Sequence, residues 1–263
     1  MPKPTKTAGV AAPAQVQTPA AGYDWSQSEV QGFENVSQED LGIPFLAILQ
    51  KGSPQVDRDH AHYATKKIEG AETGDIINTV SNVVVAGVGE QVEFIPCTYQ
   101  RLFIEWTPRE KGGGIVKVHA NSLILNECQR NEKGQDVLRN GNLVVTSAEF
   151  HGLALLDGER VPCVVSMTST QLKKAKQWLN MMMSLKMPKK DGTKYTPPMF
   201  SHSYMLSTVS ESNDQGSWRG WKVEMGGPLT DPVLIADAMS HAKVATKAPR
   251  QLSAPDTEAD KVL

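Results

Sequence analysis

The chain has 263 residues, a formal net charge of -2, 40% hydrophobic residues and 21% charged ones. That is enough for one sizeable core of about 150 to 200 residues plus tails, and the near-neutral total means that charge-driven binding must come from a local concentration of one sign. Cys97, Cys128 and Cys163 are odd in number and widely spaced without a CxxC, which excludes a disulfide framework and a cysteine zinc site and fits a reducing cytoplasm. No apolar run approaches the roughly 18 residues of a membrane span, and the Lys/Pro/Thr/Ala start lacks the apolar core of a secretory signal.

Residues 1–22 are rich in Ala, Pro, Thr and Gln without large apolar side chains, so a flexible arm is expected there. A single domain is expected over residues 23–246. It opens with the acids Asp24, Glu29, Glu34, Glu39 and Asp40 and reaches its first dense apolar cluster at Ile43, Phe45, Leu46, Ile48 and Leu49. Strands are predicted over 75–80, 82–88 and 90–108 from their β-branched and aromatic content. Alternation in the last of these puts Leu102, Ile104 and Trp106 on an oily side, and Tyr99, Arg101, Phe103 and Glu105 on a mixed aromatic and basic side. On that reading Trp106 belongs to the core and Phe103 offers a stacking face.

Turn-rich residues fill 107–142, around a short strand at 115–118 and an apolar piece at 122–125. Strands resume at 143–156 and 160–167, joined by the turn Asp157-Gly158. An amphipathic helix then begins near Thr168, Ser169 or Thr170, any of which suits an N-cap. Its buried stripe is predicted as Leu172, Ala175, Leu179 and Met182, with Trp178 at the border beside Lys174. Two further strands, 199–211 and 217–225, and a helix over 231–245 opened by Asp231 with Pro232 complete the domain. A flexible tail is expected over 247–263. Several strands, one helix and two closing strands describe a mostly-β (α+β) fold, an OB-type β-barrel with an inserted amphipathic helix, extra hairpin loops and a C-terminal helix.

The charge is concentrated along the predicted helix and the loop after it. Lys173, Lys174, Lys176, Lys186, Lys189, Lys190 and Lys194 face a single acid, Asp191, across Thr168 to Tyr195. Such a run is commonly a solvated face, but lysines that neutralise phosphates release condensed counterions, and aromatic rings nearby give bases a surface to stack on. Stacking accepts any base and lysines read only charge, so little sequence specificity is expected. Three segments combine both devices: Tyr99, Arg101 and Phe103 continuing to Trp106, Arg109 and Lys111; Lys173, Lys174, Lys176 and Trp178; and Trp218, Arg219, Trp221 and Lys222. Lys189, Lys190 and Lys194 of the loop after the helix are further phosphate candidates, and Tyr195 a further stacking one. In the third segment, Gly220 marks a bulge or a close backbone approach, and the spacing puts one indole inside and one outside.

Enzyme motifs are missing from the sequence. The glycines at 112–114 are followed by no Gly-Lys-Ser/Thr, His60 and His62 near Asp57 and Asp59 lack further metal ligands, and neither a nucleophile elbow nor a kinase signature occurs. No catalytic residue, metal or other cofactor is expected.

The strings IPFLAILQKGSPQV, RLFIEWTPREKGGG, VVSMTSTQLKKAKQW and SWRGWKVE resemble, over about residues 40–227, a group of bacteriophage proteins described as single-stranded DNA-binding. The resemblance implies an OB-type fold, no cofactor, and a non-enzymatic role in coating single strands during phage replication or recombination in the host cytoplasm. Its partners would be single-stranded DNA and phage replication or recombination proteins, with a homo-oligomer left open. The chain departs from that class at its end: Asp256, Glu258 and Asp260 are offset by Lys261, a weaker acidic tail than partner recruitment uses. The alternative reading is a phage structural or assembly protein whose basic helix contacts an acidic protein surface.

Overall fold

The structure is a computed structural model that describes residues 42, 44–119, 121–214 and 216–247. The chain divides into two units, Met1–Leu41 and Gly42–Leu263, and the described residues all belong to the second. The expected N-terminal arm, the acidic segment after it and the tail beyond Lys247 lie outside the described residues.

In chain order the elements are β1 (Phe45–Ile48), the one-turn helix α1 (Tyr63–Lys66), β2 (Ile76–Asn78), β3 (Val83–Ala86), β4 (Val92–Trp106), β5 (Ile115–His119), β6 (Gln129–Arg130), β7 (Asp136–Val137), β8 (Leu143–Leu156) and β9 (Glu159–Thr168). There follow α2 (Leu172–Ser184), β10 (Met187–Pro188), β11 (Lys194–Tyr195), β12 (His202–Asn213), β13 (Gly216–Pro228) and α3 (Pro232–Lys247). Asp157 and Gly158 have φ of 50° and 84°, the left-handed pair that a two-residue hairpin needs between β8 and β9. Asp231 starts α3 as expected, its Oδ1 accepting from the Val233 amide at 2.9 Å.

The main sheet runs β13-β12-β4-β8-β9-β1-β2-β3, with β5 added to β4 and the β6–β7 pair added to β8. It is mostly β and curls into a half-barrel. β4 and β8 are long and antiparallel, in register from Glu93↔Leu155 to Trp106↔Leu143. A bulge between Pro96 and Thr98 bends β4, which increases local twist. Opposite it stands Gly152, where a side chain would collide with the Ile95 carbonyl and the Phe94 ring.

Side-chain amides join the sheet's first strand and the start of α2 to its last strand. Gln50, just past β1, donates from Nε2 to the Arg219 carbonyl and accepts at Oε1 from the Arg219 amide, both at 2.9 Å, as a paired strand residue would. The Trp221 amide donates to Oε1 of Gln171 at 2.9 Å, and the Thr208 hydroxyl to the Gly74 carbonyl at 2.6 Å.

Helix α2 packs on the face of the sheet that carries Phe94, Phe150 and Tyr204. Trp178 is fully buried, stacked on Phe150 at 4.1 Å between ring centroids and edge-on to Phe94 at 5.9 Å and Tyr204 at 5.6 Å. The buried stripe is therefore Ala175, Trp178 and Met182, with Leu172 and Leu179 at its margins, a rotation of the expected stripe toward the tryptophan. The expected hydroxyl cap is not made: a 3-10 turn, Ser169–Gln171, precedes the helix, and Gln171 at the N-cap gives its side chain to β13 instead. Helix α3 covers a different part of the sheet, with Ala238 buried beside Ile95, Cys97 and Leu153, and a salt bridge from Arg160 to Asp237 ties it to β9. No helix among the described residues is long and apolar enough to cross a membrane.

Because Trp178 touches rings from β4, β8 and β12, Trp178→Ala should destabilise the protein by about 3 to 5 kcal/mol. Urea unfolding followed by far-ultraviolet circular dichroism measures this, and Trp178→Phe should recover part of the loss.

Candidate nucleic-acid interface

The register of β4 decides which side chains are available to a ligand. Residues directly opposite one another share a face, so Leu102, Ile104 and Trp106 lie with Ser147, Val145 and Leu143, and Phe103 lies with Thr146. The 3-10 turn Ser122–Glu127 covers the second face, where Phe103 is 5% exposed and packs on Ile124 and Val144. The first face lines a groove of about 1290 Å³, into which Ile104, Trp106, Leu143, Val145, Ser147 and Glu149 are all turned. Leu102 and Ile104 are buried as expected of the oily side, but two roles are exchanged: Trp106 lines the groove and Phe103 is enclosed.

The groove walls carry Arg130, Lys133, Arg139 and Arg219 against Glu110, Glu132 and Glu149. Gly112, Gly113 and Gly114 form part of its rim, each with a positive φ, following the turn that holds Arg109. His60 and His62 also line it, with ring centroids 5.6 Å apart and the His62 amide donating to Nδ1 of His60.

A second cationic surface runs along α2 onto the hairpin β10–β11, which forms where a basic loop was expected. Lys173, Lys176, Lys189, Lys190 and Lys194 are exposed, and among the described residues none of them is in an ion pair. Tyr195 is 38% exposed, with its hydroxyl 4.0 Å from the Met187 sulfur. Lys174 is occupied by Glu211 at 2.8 Å, and Lys222 by Glu224 at 2.9 Å.

The remaining aromatic candidates divide by burial. Trp178 at 0% and Trp221 at 3% exposure present no ring face to solvent. Both are held by the aromatic core that α2 and β13 bury, which corrects their expected role as stacking surfaces. Tyr99 is half-buried on Phe150, whereas Arg101 and Lys111 are exposed. Trp218 is half-buried and donates its indole N–H to Glu211 at 2.9 Å. Gly220 sits in an unbroken register, so it marks no bulge. It leaves room for Gln171 and Glu211, whose side chains would strike a Cβ there.

Glu211 gathers Lys174, Gln171 and Trp218 around one carboxylate. Burial acts to raise its pKa, but the hydrogen bonds from those three partners and the Lys174 charge together hold it below the ordinary carboxylate value. Arg130, Lys133 and Arg139 had no aromatic neighbour in sequence to signal them, and Glu149, beside Phe150, had no cation near it. Their only sequence-level mark was the turn-rich stretch 129–141 and the β8 alternation.

A family model described as Pam3 phage gp34-like protein matches residues 11–249. The chain belongs to this family. The phage origin expected from the sequence therefore holds for this family member, whose match covers the whole half-barrel, α2 and the basic hairpin. No curated protein and no solved structure matches the chain closely enough to add to it.

A carboxylate with a depressed folded-state pKa contributes stability that is present above its unfolded value, near 4.5, and is lost as pH falls through the folded value. Glu211→Gln should therefore lower stability at neutral pH and flatten the decline below about pH 4.5. Thermal unfolding of both proteins across pH 3 to 7 tests this.

Proposed function

We propose that this phage protein binds single-stranded DNA without enzymatic activity, holding the strand in the half-barrel groove and using the lysine-bearing hairpin as a second cationic contact. The groove carries the reading. At about 1290 Å³ it exceeds the roughly 300 to 1,000 Å³ of a small-molecule pocket, and its walls offer the two devices that single strands require, cations for phosphates and an aromatic side chain for a base. Arg130, Lys133, Arg139 and Arg219 supply the first and Trp106 the second.

The strand order supports an OB-type assignment. Counting the five long strands β4, β8, β9, β12 and β13, the helix α2 falls between the third and fourth, the fourth pairs with the first, and the fifth follows the fourth. Gln50 and Gln171 join the fifth to the region of the third. Coating of strands during replication or recombination in the host cytoplasm belongs to the same proposal. The rival assembly role draws on a different observation: the edge strand β3 exposes Val83, with Val80 and Val88 beside it, as a face for another protein.

Titration with a thymidine oligomer and with duplex of equal length should quench tryptophan fluorescence only with the single strand. Trp106→Phe should remove much of that signal. Affinity should fall steeply with salt, and Arg130→Ala and Arg139→Ala should each lower the log–log salt slope by about 0.7. Equal responses to both ligands, or none, would reject the proposal and favour assembly.

A further inference from the structure

The groove has an unusual feature for a surface that takes phosphates: a buried carboxylate in its lining. Glu149 is 3% exposed and lines the cavity. An ionised carboxylate has about four acceptor sites and no donor. Here its hydrogen-bond and ion-pair partners are Ser147, whose hydroxyl is 3.5 Å from Oε1, and His151, whose Nε2 is 3.5 Å from Oε2. Both contacts stand at the outer limit of a hydrogen bond, and both partners are shared, Ser147 with the Ser166 hydroxyl at 2.8 Å and His151 Nε2 with the Gln100 amide. Buried polar groups are ordinarily satisfied, so Glu149 is an acceptor with capacity to spare, facing a cavity large enough for a base.

We infer that Glu149 makes the groove selective among bases, favouring those that present an exocyclic amino group, such as cytosine, over thymine. This rests on the single-stranded DNA reading and refines it. Charge fixes the orientation: a phosphate is repelled by the carboxylate and drawn to Arg130, Lys133 and Arg139, so the strand enters with its bases toward Glu149 and its backbone along those cations. The base edge then meets an acceptor. Cytosine N4 donates to a carboxylate, whereas thymine turns a carbonyl toward it at the same position, acceptor against acceptor. Ser147, Ser166 and Thr168 beside Glu149 are hydroxyls that serve as donor or acceptor and so do not themselves discriminate.

The test uses the full chain with short dC and dT oligomers of equal length, at pH 8 where cytosine is neutral, read by fluorescence anisotropy of labelled DNA. The expected result is about tenfold tighter binding of dC than of dT. In Glu149→Gln, whose amide turns either an oxygen or an NH2 to the base, that ratio should fall toward one with dT binding gaining. Equal affinities in the unaltered protein would overturn the selectivity while leaving the single-strand reading intact. Selectivity that persists in Glu149→Gln would overturn the assignment to Glu149, and failure to bind either oligomer would overturn both proposals together.

Discussion

The packing of Trp178 against Phe150, Phe94 and Tyr204 is the contact on which the rest of the domain depends. A single indole from α2 touches rings from β4, β8 and β12, so the curl of the sheet and the seat of the helix are one problem with one solution. Aromatic side chains of this size bury roughly 150 to 250 Å² each, which makes such a cluster a large share of any small core. The helix is amphipathic for this reason: Ala175, Trp178 and Met182 go inward, and Lys173 and Lys176 are left outside.

Seating α2 also sets where the sheet is tied together. Gln171, at the N-cap of the same helix, reaches the Trp221 amide and the Glu211 carboxylate, while Gln50 pairs with the Arg219 backbone. Side-chain amides do here what a further strand would do, supplying one donor and one acceptor to an otherwise open edge. The geometry needs Gly220, because Glu211 and Gln171 occupy the space a side chain would take. The groove follows from this arrangement, since Ile48, Gln50, Gln171, Arg219 and Trp221 are all part of its wall.

The groove and the basic hairpin differ in electrostatic character. On the hairpin and the outer face of α2, five exposed lysines have no acidic partner among the described residues, so their field extends into solvent and responds to salt. In the groove, cations stand with Glu110, Glu132 and Glu149, and the charges are set in a concave surface with an aromatic wall. The first arrangement suits attraction at a distance, and the second suits discrimination at contact.

Local pattern was enough to read most of the secondary structure. The β-branched run at 143–156, the Asp157-Gly158 turn, the Asp231 cap and the lysine-bearing helix are all stated by neighbours in sequence, because strand period, turn chemistry and capping act over a few residues. Local pattern also showed that one side of β4 differs from the other. It did not show which side a helix would cover, and so it exchanged the roles of Phe103 and Trp106. That choice belongs to tertiary packing: the 3-10 turn Ser122–Glu127 lies on the Phe103 side, and the other side is left facing the groove. The cations of the groove come from β6, from β13 and from the turns about β7, and Glu149 from the middle of β8. Only the curling of the sheet brings residues so far apart in sequence around one cavity.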